Sequence, residues 1–125
     1  MPKVYCRKCK KPLTEELTIV DTKYLYQEVS VNGDFPYDFL PEGKIYYNTG
    51  KIIQEHKGTW LSGLKNKYQI QNHNDVSRLT SSCCSLDGAA GVNSICFKSH
   101  EVATLVSDCF MHHYVAWDPY KTELK

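Results

Sequence analysis

Two cysteines three positions apart near one end, Cys6-Arg7-Lys8-Cys9, and four more in the last third constrain this chain more than any other feature. A Cys-x-x-Cys turn lets two thiolates converge on one tetrahedral ion. A distant group can then supply the remaining ligands. The expectation is a structural zinc site that ties an N-terminal hook to the C-terminal region.

The distant candidates are Cys83, Cys84, Cys96 and Cys109. Side chains of adjacent cysteines diverge, so one of Cys83 and Cys84 is expected to bind, together with Cys96. Cys84 is favoured, because Ser85 and Gly88 leave room for a turn beyond it. Cys109, between Asp108 and Phe110 in an apolar stretch, reads as a buried thiol. The expected ligand set is therefore Cys6, Cys9, Cys84 and Cys96. Zn²⁺ with four thiolates carries a charge of −2, which Arg7, Lys8 and Lys10 would stabilise.

The compartment decides between metal and disulfides. The opening Met-Pro-Lys-Val-Tyr-Cys shows no apolar signal core, and no run approaches a membrane span. The reading is a cytoplasmic chain, where clustered cysteines mean metal more often than bridges. Three disulfides are the alternative for an oxidising compartment.

The length of 125 residues suits one domain over residues 1–125. Nine tyrosines and 42 % hydrophobic residues argue against disorder. The net charge of +1 is unevenly spread: Lys3, Arg7, Lys8, Lys10 and Lys11 precede a block with Glu15, Glu16, Asp21, Glu28, Asp34, Asp38 and Glu42 against Lys23 alone.

Strand-like patterning dominates. Thr18–Val20, Tyr24–Val31, Lys44–Tyr47, Tyr68–Ile70, Ile95–Phe97, Val102–Val106 and His112–Trp117 read as strands. Asn32-Gly33 reads as a turn, and residues 35–43 and 80–94 as loops. Ile52-Ile53 and Trp60-Leu61 are short apolar pieces. Asn74 or Asp75 is a candidate cap for a short helical turn. No segment sustains a 3.6-residue period. The expected fold is α+β, mostly β: a small domain of short antiparallel strands with a zinc-ribbon-like staple. Such a thin core needs one, and a structural zinc site contributes on the order of 10 kcal/mol.

The C-terminal third resembles a family of small bacterial proteins. The likeness rests on Ser77-Arg78-Leu79, Cys83-Cys84-x-Leu86-Asp87-Gly88, Gly91-Val92-Asn93, Cys96, Glu101–Thr104, Ser107–Phe110, His113 and Asp118-Pro119. Cys6-x-x-Cys9 and Pro12-Leu13-Thr14 add to it. Where the family pattern has a further cysteine this chain has Lys98, which cannot replace a thiolate; His100 could substitute. The resemblance implies a zinc-ribbon-like bacterial protein with no established reaction, of a kind that often sits beside toxin genes as an immunity protein.

Three function classes follow. The first is a non-catalytic binding protein, an immunity- or antitoxin-like inhibitor of a toxin enzyme. Tyr24, Tyr26, Tyr37, Phe39, Tyr46, Tyr47 and Trp60 would be its candidate interface anchors. The second is a nucleic-acid-binding zinc ribbon using the basic residues around Cys6 and Tyr5, disfavoured by the near-neutral net charge. The third is an enzyme with Cys109 as nucleophile and His112 or His113 as base, for which no oxyanion donor is evident.

Overall fold

The computed structural model describes residues 2–22, 39–81, 85–108 and 112–125. Nine short strands form there: β1 Val4–Cys6, β2 Thr18–Ile19, β3 Lys44–Tyr47, β4 Trp60–Ser62, β5 Ile70–Asn72, β6 Ser94–Cys96, β7 Glu101–Val106, β8 Tyr114–Trp117 and β9 Thr122–Leu124. Seven make one sheet in the order β2-β3-β4-β8-β7-β6-β5; β1 and β9 make a separate antiparallel ribbon. Within the large sheet β2 and β3 run parallel and the other neighbours antiparallel.

The central strands read as continuous apolar runs because both faces of the sheet are covered. In β8, Val115 and Trp117 enter one core cluster, while Tyr114 and Ala116 enter another. The same two-residue alternation sends Ile45 of β3 to the first cluster and Tyr46 to the second. The β1–β9 ribbon, through Val4 and Cys6, covers the first face together with Leu13 and Leu17. Phe39 and Leu40 cover the other.

Trp117 anchors the first cluster at 1 % exposure. Its indole N–H donates to Ser62 Oγ at 2.8 Å, so the largest core residue carries no unpaired polar atom. Tyr68 packs edge-on against it, with ring centroids 5.3 Å apart. Asn93, fully buried, stands in for a strand partner. It accepts from Leu105 N–H at 2.7 Å and donates to the Leu105 carbonyl at 2.9 Å, beside the register shift between β6 and β7.

The fold is mostly β, as expected. The α component of the α+β expectation is corrected: the described residues hold no α-helix, and Val76–Arg78 is a 3-10 turn. Asp75 caps it by accepting from Ser77 N–H at 3.0 Å. The strand expected at Tyr68–Ile70 begins at Ile70, while Tyr68 forms an isolated bridge with Thr14. Strands β1 and β9 were not expected. The segment Tyr24–Val31, the Asn32-Gly33 turn and residues 35–38 lie outside the described residues. Phe39 and Tyr46, read as interface anchors, are core residues instead, at 0 % and 4 % exposure.

Candidate metal centre

Two turns of similar construction meet, one after β1 of the ribbon and one between β6 and β7 of the large sheet. The first follows β1. Cys6 N–H donates to the Lys11 carbonyl at 3.1 Å, and the Cys6 carbonyl accepts from Lys10 N–H at 2.9 Å. Closing so tightly puts Lys10 at φ 61°, in the left-handed region. The second joins β6 to β7. Cys96 N–H donates to the His100 carbonyl at 2.9 Å, its carbonyl accepts from Ser99 N–H at 2.9 Å, and Ser99 takes φ 67°. Lys98 N–H also points at Cys96 Sγ, at 3.4 Å.

These turns bring Cys6, Cys9, Cys96 and His100 together, close enough to hold a metal ion. One ligand atom from each lies within 4.8 Å of every other. The two measured sulfur–nitrogen edges, from His100 Nδ1 to Cys6 Sγ and to Cys96 Sγ, are 3.6 Å and 3.5 Å. A tetrahedral ion with bonds of about 2.3 Å to sulfur and about 2.05 Å to nitrogen spans a sulfur–nitrogen edge of about 3.6 Å. Both sulfur–nitrogen edges therefore match such an ion, and the remaining pairs lie within 4.8 Å. Cys6 and Cys96 are buried in the first core cluster, while Cys9 and His100 are half-buried at its rim.

Burial pushes the Cys6 thiol up, against backbone N–H groups of Cys9 and Lys8 that favour its thiolate. At Cys9 burial also acts upward but is outweighed. The N–H of Lys11 and the neighbouring sulfurs of Cys6 and Cys96 hold its thiol below the ordinary value. The cluster is thus best prepared to carry a thiolate at Cys9.

Three of the four expected ligands, Cys6, Cys9 and Cys96, converge; the three are free thiols with no disulfide among them. Cys84 lies outside the described residues, as do Cys83 and Cys109. Among the described residues the fourth donor that meets them is His100, expected only as a substitute for an absent family cysteine. The signal was present: Cys96-x-x-x-His100 is itself a chelating spacing.

The other histidines are engaged elsewhere. His73 Nε2 lies 2.8 Å from Glu101, and His113 Nε2 lies 2.9 Å from the Asp108 carbonyl. The His112 and His56 rings pack edge-on against Phe39 and Tyr114. Burial lowers the pKa of both His112 and His56. The proposed Cys109–histidine pair lies in part outside the described residues.

No family model matches the chain, and no curated protein or solved structure matches it. No helix among the described residues is long and apolar enough to cross a membrane.

Proposed function

We propose that this chain is a non-catalytic binding protein whose fold is stapled by one structural zinc ion. The observation that carries the reading is the donor set: Cys6, Cys9, Cys96 and His100 meet where the turn after β1 adjoins the β6–β7 turn. Thiolate and imidazole donors in a tetrahedral arrangement suit zinc. Four protein ligands leave no position for a metal-bound water or substrate, which distinguishes a staple from a catalytic centre. The site also joins the two sheets, where a staple adds most.

The partner in this reading is a protein, and the protein class is an immunity- or antitoxin-like inhibitor of a toxin enzyme. Its support is the family resemblance, the segregated charge and the aromatic surface that remains outside the core. Tyr47 is 46 % exposed beside the half-buried Trp60, with ring centroids 5.2 Å apart, and Tyr120 is 86 % exposed.

Native mass spectrometry with elemental analysis tests the staple: one zinc per chain is expected, and a folded metal-free protein would overturn it. Co-expression with the product of an adjacent toxin gene tests the partner. A tight 1:1 complex that suppresses toxicity is expected; neither binding nor protection would end that reading while leaving the zinc site intact.

A further inference from the structure

The cysteine–histidine cluster is also a wall between two surface clefts. The larger, about 370 Å³, is lined by Cys9, Pro12, Leu13, Cys96 and Phe97, with Lys11 and Lys98 at its edge. The smaller, about 160 Å³, is lined by Cys6, Ser99 and His100, with Lys8 and Lys121. Glu101 also borders the smaller cleft, but its carboxylate is taken by His73 at 2.8 Å and Arg78 at 3.4 Å. No carboxylate among the described residues pairs with Lys8, Lys11, Lys98 or Lys121.

These lysines have a simple structural use, to neutralise the centre. A divalent ion with three thiolates and a neutral imidazole carries only −1. Four lysines therefore leave a surplus of three positive charges around the site, before Lys10 is counted. Phe97 adds the second observation. It is 60 % exposed, on the turn between Cys96 and His100, with Lys98 next to it and an apolar cleft beneath. A metal-tied turn fixes its backbone, so an aromatic face is presented at low entropic cost.

We infer that this end of the molecule binds single-stranded nucleic acid, with Phe97 stacking a base and Lys8, Lys11, Lys98 and Lys121 meeting the phosphates on either side. Phosphates on either side of a stacked base can meet the lysines that line both clefts, and an exposed ring offers every base a flat partner. A duplex keeps its bases stacked and offers none to Phe97. An acidic peptide would satisfy the lysines but leave the ring face without a planar partner. The inference goes beyond the protein-partner reading and does not depend on it.

Fluorescence anisotropy of the metal-loaded chain tests it, using fluorescein-labelled oligo(dT) and oligo(U) of about 12 nucleotides, within the usual single-strand site size. Salt-sensitive binding is expected. Phe97→Ala should weaken it about tenfold. Lys8→Gln and Lys98→Gln should each reduce the salt slope by about 0.7. All three positions are exposed, so metal content and melting temperature should be unchanged. The inference is overturned by no anisotropy change at low salt, by an unaffected Phe97→Ala, or by equal binding of a duplex of that length. It is also overturned if polyglutamate competes as well as unlabelled oligo(dT), which would assign the surface to an acidic protein.

Discussion

His100 Nδ1 lies 3.6 Å from Cys6 Sγ, a residue 94 positions earlier in the chain. Loss of either should release the metal and unfold the domain. A structural zinc site is worth on the order of 10 kcal/mol, comparable to the whole stability of a small domain. His100→Ala, Cys6→Ser and Cys96→Ser are each expected to lose both metal and β-type circular dichroism, as is wild type treated with a strong chelator. His100→Cys should keep both, and Cys84→Ser should retain one metal per chain; elemental analysis reads the difference.

Lys10 and Ser99 hold left-handed backbone inside the two ligand turns, at φ 61° and 67°. That conformation costs an L-residue about 1 kcal/mol and a β-branched one more. Lys10→Val and Ser99→Val should each destabilise the metal-loaded protein by about 1–2 kcal/mol. Lys10→Gly and Ser99→Gly should be neutral or stabilising by less than about 1 kcal/mol, because glycine relieves the strain but gains freedom when unfolded. Urea denaturation measures both.

Gly88 is held at φ 73°, and an added Cβ would lie 2.9 Å from Thr104 Cγ2 and 3.1 Å from Val106 Cγ2. Both methyl groups belong to stiff, β-branched side chains of β7, which give way only by leaving their rotamers or shifting the strand. Gly88→Ala should cost about 2–3 kcal/mol from the clash and the backbone together, read as a lower urea midpoint. Gly43→Ala provides the comparison: its φ is 81° but nothing lies within 4 Å, so only the backbone cost applies.

Tyr114 is 3 % exposed, and burial, reinforced by the charge of Glu55, pushes its phenol up to about 12. An unfolded tyrosine ionises near 10. Below that pH both states hold the proton and stability is unaffected. Between about 10 and 12 the unfolded state ionises first, so stability falls by about 2–3 kcal/mol. Tyr114→Phe should remove that part of the alkaline loss, measured as the wild-type-minus-variant difference in denaturation free energy against pH.

The sequence carried the central strands well. Lys44–Tyr47 was legible from its flanking turn residues, and Val102–Val106 and His112–Trp117 from apolar runs too short for helices, the latter strand beginning only at Tyr114. Strands β1 and β9 were not legible, since three residues such as Thr122–Leu124 become a strand only through pairing with Val4–Cys6. Cys6 and Cys9 were plain from their spacing. His100 was harder, because its role depends on the β6–β7 turn placing Nδ1 beside a sulfur from the other end of the chain. Phe97 gave no sign of exposure, because its neighbours Ile95 and Cys96 are both buried.

The pairing of β1 with β9 also sets a timetable. During synthesis Cys6 and Cys9 emerge well before Cys96 and His100. At about 5–20 residues per second, their remaining ligands at Cys96 and His100 follow on the order of ten seconds later. Only then can a metal be enclosed, and only after Thr122–Leu124 appears can β1 find its partner. The thiols of the first turn thus wait without partners until the β6–β7 turn is made, and the ribbon closes only when β9 follows. Oxidants and competing metals meet those thiols in that interval with neither Cys96 nor His100 beside them.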